Sequence, residues 1–218
     1  MPDFEFWNER WINNQIGFHQ GKPHPSLVKF INVFQGHKKI LVPLCGKTLD
    51  MIFLRDQGYE VIGVEFSELA ILDFIKENNL KMTKTAEKNF QVYRGEGLTL
   101  YQGDFFQLTA EHLKGVTACY DRASMVAFDN EERIRYAEFL KKTAVDLTKL
   151  LVVVFNYGAV PGGPPYSVID DEIKKLYGDV YKLKLLAEES FPLRETLAER
   201  GASFEKEITW EFSKASES

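Results

Sequence analysis

One stretch of the chain decides its fold: residues 38–57, KKILVPLCGKTLDMIFLRDQ. Lys38–Leu44 is a short run rich in Ile, Leu and Val, which predicts a buried β-strand. The run ends in a turn at Cys45-Gly46, and apolar side chains then recur at helical spacing over Thr48–Gln57. The stretch therefore predicts a strand, a turn and a helix, which is the repeating unit of an α/β protein.

The same order of elements recurs along the rest of the chain. Ser67, for example, is a suitable N-cap for a helix that follows the second strand. The apolar runs predicted as strands are Lys38–Leu44, Glu60–Val64, Leu98–Gln102, Val116–Tyr120, Leu150–Asn156, Tyr181–Glu188 and Ser203–Phe212. The last two alternate as antiparallel strands do, and no strand is predicted in the polar stretch Lys81–Glu96. The sequence predicts an α/β fold with a doubly wound, seven-stranded, mostly parallel sheet and one antiparallel C-terminal strand pair.

The composition limits the partners and the location of the protein. With 218 residues, of which 44% are apolar, residues 1–218 are expected to form a single, monomeric domain with a sizeable core. Acidic residues outnumber basic ones, 32 against 27, so no nucleic acid or membrane partner is expected. No apolar run is long enough for a bilayer and no signal peptide is evident, which favours a cytoplasmic location. Cys45 and Cys119 lack the spacing of a zinc site, so no metal is expected.

The first two predicted strands end in residues suited to binding a small ligand. An open α/β sheet binds ligands outside the carboxyl ends of its strands, where the chain order reverses. Gly46 lets the backbone approach a ligand closely, and Glu65 can accept hydrogen bonds from both hydroxyls of a ribose. Neither a Walker loop nor a three-glycine dinucleotide fingerprint is present, so the ligand is expected to lack phosphate. The alternative for Gly46 is a plain tight turn. The alternatives for Glu65 are a solvated strand end and a partner for the dipole of the following helix.

The next two strand ends carry charged and aromatic residues. Asp104 and Phe105 offer a carboxylate and a flat apolar wall, suited to the amino group and ring of adenine. The alternative is that Asp104 caps a helix while Phe105 and Phe106 belong to the core. Arg122 lies at the point where the chain order reverses, and its guanidinium can form hydrogen bonds to a carboxylate or to nearby backbone there. The alternative for Arg122 is a structural ion pair with Asp121.

The segment before the first strand is aromatic. Trp7 and Trp11 are one helical turn apart and share a face, and Phe18 and His19 follow them. Aromatic faces suit a sulfonium cation and an aromatic ligand, whereas the alternative is a terminal helix packed on the sheet. His19 is a candidate base or, alternatively, a surface or capping residue.

Together these segments make the sequence resemble the thiopurine S-methyltransferase family. The resemblance covers nearly the whole chain, and the Leu-Cys-Gly-Lys turn and aromatic N-terminus are specific, because methyltransferases in general carry a glycine-richer first turn. The segments that carry it are Phe6-Trp7 to Trp11, Gly17-Phe18-His19, Pro43–Met51, Gly63-Val64-Glu65, Gly103–Phe106, Asp121-Arg122-Ala123 and Gly163-Pro164-Pro165. The resemblance implies a Rossmann-like class I methyltransferase with S-adenosylmethionine as its cofactor.

The resemblance also implies roles for individual residues. Phe18 would face the methyl acceptor, and residues 1–30 would form an N-terminal lid segment. A late basic residue is implied to orient the acceptor in relatives, but neither Arg194 nor Arg200 aligns clearly with it. The residues implied to bind S-adenosylmethionine are Trp7, Trp11, Leu44, Gly46, Glu65, Asp104, Phe105 and Arg122.

The expected reaction is methyl transfer to the sulfur of a small-molecule thiol, in particular a thiopurine-like aromatic or heterocyclic thiol. An aromatic thiol ionises readily, so no catalytic residue and no metal is assigned. Other small thiols and selenium or tellurium anions stay open as acceptors. Two other functions also stay open: a nicotinamide-dependent oxidoreductase, which the missing pyrophosphate glycines disfavour, and a non-catalytic S-adenosylmethionine-binding protein.

Overall fold

The computed structural model describes residues 4–122 and 124–214; residues 1–3 of the predicted lid and 215–218 of the predicted domain lie outside this part. The helices are α1 (Phe4–Ile12), α2 (Pro25–Phe30), α3 (Asp50–Asp56), α4 (Glu68–Glu77), α5 (Asn130–Thr143), α6 (Asp170–Tyr177) and α7 (Glu195–Ala198). The strands are β1 (Lys39–Pro43), β2 (Glu60–Glu65), β3 (Thr83–Glu87), β4 (Phe90–Gly95), β5 (Leu98–Gln102), β6 (Ala118–Arg122), β7 (Lys149–Asn156), β8 (Tyr181–Phe191) and β9 (Glu205–Lys214). Of the helices in these ranges, none is both long and apolar enough to traverse a bilayer.

The strands form one mixed sheet in the order β3-β4-β5-β2-β1-β6-β7-β9-β8. The five central strands, β5, β2, β1, β6 and β7, are parallel, and β9 and β8 continue the sheet as an antiparallel pair. The chain order reverses between β1 and β6, because β2 and β5 lie on one side of β1 and the later strands lie on the other. The carboxyl ends of β1 and β6 therefore mark the position at which such sheets bind their ligands.

The prediction of seven, mostly parallel strands was wrong, because the sheet has nine strands within the described residues and four of its eight strand pairings are antiparallel. The seven predicted strands are present, with ends that differ by up to three residues. The other two, β3 and β4, form an antiparallel hairpin that pairs with β5, inside the polar stretch Lys81–Glu96. Strand β3 has the sequence Thr-Lys-Thr-Ala-Glu and is exposed along most of its length. A strand without a buried face lacks the apolar alternation by which a sequence reveals a strand.

Apolar cores cover both faces of the sheet. Along β1, Ile40 and Val42 pack into the core that contains side chains of α2, α3 and α4. Leu41, between them, packs into the core on the opposite face, which contains side chains of α5 and α6. This double cover defines a doubly wound sheet, and it leaves the carboxyl edge of the strands as the place for a ligand.

The two halves of the predicted lid segment are held in different ways. The start of α2 is fixed by buried polar groups: the backbone N–H of His24 donates to Oδ1 of Asp50 at 2.6 Å, and the His24 ring lies 3.2 Å from Oε2 of Glu207. Helix α1, by contrast, is held by aromatic rings, since Trp11 is 7% exposed and the other cavity-facing side chains of the helix include Phe4 and Trp7. Within the predicted lid segment, hydrogen bonds to buried carboxylates therefore hold the chain from His24 onwards, whereas ring contacts hold α1.

Candidate functional site

A cavity of about 400 Å³ opens at the carboxyl ends of the parallel strands. One side of it comes from the segments that follow β1, β2, β5 and β6, and the other from α1 and the loop after it. Its volume lies within the usual range for small-molecule sites. The predicted site residues that line it are Trp7, Trp11, Phe18, Leu44, Glu65, Asp104, Phe105 and Arg122. Gly46 lies outside the lining, next to Glu65 and Trp11.

Glu65 ends β2 with its carboxylate held by the backbone. Its Oε2 accepts the N–H of Gly46 at 2.8 Å, and its Oε1 accepts the N–H of Ser67 at 2.8 Å. Burial raises the pKa of Glu65, although these N–H groups act in the opposite direction. Because each carboxylate oxygen can accept two hydrogen bonds, one acceptor position remains on each oxygen. Two neighbouring ribose hydroxyls can each donate a hydrogen bond to one of these free acceptor positions.

The turn after β1 brings the backbone up to this carboxylate. Leu44 and Gly46 both have positive φ values, of 46° and 50°. Glycine adopts this left-handed conformation readily, whereas a residue with a side chain, such as Leu44, is strained there by about 1 kcal/mol or more. A Cβ at Gly46 would lie 3.1 Å from Cζ2 of Trp11. Because Gly46 has no side chain, the indole of Trp11 can pack against the turn. Gly46 therefore affects the cavity through two residues that line it, Trp11 and Glu65.

The segment after β5 supplies a carboxylate and two aromatic rings. Oδ1 of Asp104 accepts the N–H of Phe106 at 2.9 Å and so caps the short 3-10 turn Phe105–Gln107. Phe105 is buried, with its ring centroid 5.2 Å from that of Tyr136, yet it also reaches the cavity wall. Phe106 lines the same wall. The capping and core roles considered as alternatives are thus present in the same residues that face the cavity.

Arg122 and Asp121 have different partners. Nη2 of Arg122 donates to the backbone carbonyl of Phe18 at 3.2 Å, and the guanidinium lines the cavity. Asp121 is 1% exposed, and its Oδ2 accepts the hydroxyl of Tyr136 at 2.7 Å. Successive residues of a strand point to opposite faces of the sheet, so the alternative ion pair between these two neighbours is not formed. Asp121 therefore does not neutralise the Arg122 guanidinium, which lines the cavity as a cation at the point where the chain order reverses.

Aromatic rings form much of the wall contributed by α1 and its loop. Phe18 packs edge-to-face with both indoles, with ring centroids 5.8 Å from Trp7 and 5.5 Å from Trp11. Phe4 stacks on Phe66, at the end of β2, with ring centroids 4.2 Å apart. All five rings line the cavity. Aromatic faces attract cations, so such a wall suits a ligand that carries both a positive charge and a planar ring.

The structure adds cavity residues that sequence reasoning missed. Phe4 and Arg10 lie three residues before and after Trp7 on α1, and all three line the cavity. Helical spacing from Trp7 was the signal that would have found them. Of the two late arginines, Arg194 lies in the cavity wall and Arg200 does not.

Other candidate groups lie outside the cavity. His19 lines a separate recess of about 40 Å³, where burial and the charge of Lys47 lower the pKa of its imidazole. Cys45 and Cys119 are buried free thiols, and burial raises the pKa of both well above the usual range, which makes them poor nucleophiles near neutral pH. Within residues 4–122 and 124–214, no group of three or more His, Cys, Asp or Glu side chains is placed to hold a metal ion.

One protein family matches the chain over almost its whole length. The sequence profile described as "Thiopurine S-methyltransferase" matches residues 2–213. The chain belongs to the thiopurine S-methyltransferase family. It is an S-adenosylmethionine-dependent methyltransferase, and the buried Glu65 carboxylate and aromatic wall fit that cofactor.

Two members of the thiopurine S-methyltransferase family show how close the relationship is. The thiopurine S-methyltransferase of Pseudomonas aeruginosa (strain LESB58) is 43% identical over 185 residues, which cover 84% of this chain and 85% of that protein. That of Shewanella putrefaciens (strain CN-32) is 38% identical over 208 residues, which cover 94% of this chain and 93% of that protein. The profile match over residues 2–213 includes the strand ends and the aromatic segment.

Solved methyltransferase structures share the fold of this thiopurine S-methyltransferase family member. The 1,6-didemethyltoxoflavin-N1-methyltransferase of Burkholderia thailandensis has a TM-score of 0.65 at 10% identity, over 97% of this chain and 87% of that one. A SAM-dependent methyltransferase from Anabaena variabilis has a TM-score of 0.64 at 15% identity, over 99% of this chain and 96% of that one. At such low identity these likenesses establish the class I methyltransferase fold alone.

Proposed function

We propose that this methyltransferase transfers the methyl group of S-adenosylmethionine to the sulfur of a small aromatic or heterocyclic thiol. The observation that carries the proposal is the composition of the cavity wall. Among the described residues that line it, the only acidic side chains are those of Glu65 and Asp104, and no histidine, cysteine, lysine or tyrosine is present. An acceptor that loses its proton to solvent fits such a wall. The ring of an aromatic thiol delocalises the thiolate charge, so its sulfur ionises more readily than that of cysteine.

The residues proposed to hold the cofactor divide by chemistry. Glu65, held by Gly46, would accept hydrogen bonds from the ribose hydroxyls, and Asp104 and Phe105 would meet the amino group and ring of adenine. Arg122 would bind the carboxylate of the methionyl part. The remaining residues proposed to enclose the cofactor are Trp7, Trp11 and Leu44.

When bound, S-adenosylmethionine supplies an electrophilic methyl group on a sulfonium. The protein's part in the transfer is then to align the acceptor and to exclude water. Phe18, packed against both indoles of α1, is proposed to face the acceptor ring, and the surrounding rings keep the reacting atoms dry. No residue is proposed as a general base and no metal is proposed to take part.

The segment before His24 is proposed to act as the lid over this site. Of the predicted lid, residues 1–30, the part from His24 onwards is anchored by Asp50 and Glu207, whereas the part before it contributes the aromatic wall. A small molecule is the substrate class that a cavity of this size fits. The monomeric state, the cytoplasmic location and the lack of a nucleic acid partner stay predictions from the sequence.

An acceptor panel tests the proposal. The protein would be mixed with radiolabelled S-adenosylmethionine and, separately, with a thiopurine, thiophenol, an aliphatic thiol, selenite and tellurite. Phenol and aniline serve as matched controls because they place oxygen or nitrogen on the same ring. We expect label in the thioether products of the aromatic thiols and none in phenol or aniline. Transfer only to selenite or tellurite, or equal transfer to phenol, would contradict the proposal.

A further inference from the structure

Three arginines line the cavity within the described residues, and they are held differently. Arg122 donates to the carbonyl of Phe18. Arg194 donates from Nε to Oε2 of Glu205 at 3.0 Å, and its Nη2 lies 2.7 Å from Oε1, so that its charge is neutralised. Arg10 has no carboxylate partner within the described part of the chain, and its Nε is buried without a hydrogen-bond partner there.

A buried N–H without an acceptor is costly, so the position of Arg10 calls for an explanation. The guanidinium carbon lies 4.3 Å from the ring centroid of Phe6, which accounts for one face of the group. Arg10 is part of the cavity wall, on the same helix as Trp7 and one turn from it. A ligand with a negative charge in the cavity would supply the counter-charge that Arg10 lacks among the described residues.

We infer that Arg10 binds the acceptor of the proposed sulfur methylation in its thiolate form, and that it is a specificity-determining residue for that acceptor. The inference rests on the proposed function. Arg122 is the cation at the strand ends where the cofactor is proposed to lie. Arg10 lies on α1, the helix whose two indoles pack against Phe18, the residue proposed to face the acceptor. The other charged groups that face the cavity are Glu65, Asp104 and Arg194, and His19 lies in the adjoining recess.

The transfer step balances with a thiolate. The acceptor sulfur gives up its proton to solvent before it attacks, and its lone pair forms the bond to the methyl carbon. The bond between that carbon and the cofactor sulfur breaks, and its electron pair stays on the cofactor sulfur, which becomes a neutral thioether. Both reacting charges are thereby lost, so Arg10 matters for binding the anion and not for stabilising the products.

The test measures ionisation of the bound acceptor without turnover. Thiophenol is titrated with pH in the complex with the protein and S-adenosylhomocysteine, and the thiolate is followed by its ultraviolet difference absorbance. In the wild-type protein we expect a midpoint at least about one pH unit below that of free thiophenol, since a cation within contact distance favours the charged form. Arg10→Met should lose this shift, and Arg10→Lys should restore part of it. Arg55→Met, on α3 beside Asp56 and Glu96, removes a cation far from the cavity and should leave the midpoint unchanged.

Equal midpoints in the wild type and in Arg10→Met would overturn the inference. So would a loss of S-adenosylhomocysteine affinity in Arg10→Met by calorimetry, because Arg10 would then belong to the cofactor carboxylate. Failure of the proposed function looks different, since the wild type would then methylate no aromatic thiol in the panel. Methylation of thiophenol together with equal midpoints would remove the inference and leave the proposed function standing.

Discussion

The backbone N–H of Gly46 donates to Oε2 of Glu65 at 2.8 Å, although the two residues are 19 positions apart in the chain. This bond joins the turn after β1 to the end of β2. It fixes the carboxylate while leaving each of its oxygens able to accept one more hydrogen bond. Changes at either residue are therefore expected to alter cofactor binding.

Glu65→Gln should weaken the binding of S-adenosylhomocysteine. The amide keeps one oxygen but loses the charge and replaces an acceptor with a donor, so a loss of about 2 kcal/mol, or more than tenfold in Kd, is expected. Isothermal titration calorimetry measures it. Glu60→Gln, at the exposed start of the same strand, is the matched control and should bind as the wild type does. An unchanged Kd in Glu65→Gln would contradict the ribose assignment.

Glu65 should also give cofactor binding a dependence on pH. Because burial raises its pKa, acidification should protonate Glu65 before ordinary glutamates and weaken S-adenosylhomocysteine binding as pH falls through that raised value. The stability of the cofactor-free protein should change in the opposite sense: the folded state holds this proton more tightly than the unfolded chain, so ionisation of Glu65 lowers stability as pH rises through the raised pKa. Calorimetry gives the binding free energy of S-adenosylhomocysteine, and urea unfolding gives the free energy of unfolding. The difference in each between the wild type and Glu65→Gln, measured as a function of pH, isolates the contribution of Glu65. A difference that does not vary with pH would count against this role.

Gly46→Ala should impair the site by more than backbone strain. The φ of 50° costs alanine about 1 kcal/mol, and the new Cβ would also press on Trp11 at 3.1 Å. Gly58→Ala is the matched control, because its φ of 93° is also positive but nothing lies within 4 Å of the new Cβ. Urea unfolding should show both variants destabilised. Only Gly46→Ala should bind S-adenosylhomocysteine more weakly, and equal binding in the two would argue against the contact with Trp11.

Helix α1 should become more protected when the cofactor binds. Its contacts are ring contacts around the cavity, so a ligand that fills the cavity should stabilise it, whereas α2 is anchored independently through His24. Hydrogen exchange with and without S-adenosylhomocysteine measures both segments. Phe4→Ala, which removes the stack on Phe66, should speed exchange of α1 in the free protein. Equal, strong protection of α1 in both states would show a permanently packed helix and no lid.

A chelator should leave methyl transfer unaffected. The described residues offer no group of side chains for a metal ion, and the proposed transfer needs no Lewis acid. The rate of transfer to thiophenol would be compared before and after incubation with EDTA. Loss of activity that a divalent ion restores would reveal a metal requirement.

The parallel core and the strand ends that meet near the cavity could be predicted because each left a local pattern. The strand ends at Gly46, Glu65, Asp104 and Arg122 follow apolar runs, and the fold then brings them to one edge. The hairpin of β3 and β4 left no such pattern, because its outer strand is polar and exposed.

The partners of the site residues depended on the tertiary structure. The sequence left open whether Arg122 pairs with Asp121, and only the structure shows Asp121 turned to Tyr136 and Arg122 turned to Phe18. That Arg10 has no carboxylate partner among the described residues is likewise a property of the packed helix. Spacing can place Arg10 on the face of Trp7, but it cannot show what surrounds the guanidinium.

The hairpins that flank the parallel core bear on how the protein behaves when it is crowded. Strands β3 and β8 form the two borders of the sheet, and the unpaired backbone groups of a border strand invite other chains to add to it. Strand β3 spans five residues and carries Lys84, and strand β8 carries exposed Lys182, Lys184, Glu188 and Glu189. Short length and charge discourage such addition. The polar segment that is hardest to recognise as a strand thus closes one border of the apolar sheet with a short, charged strand, which disfavours fibril-like growth at that border.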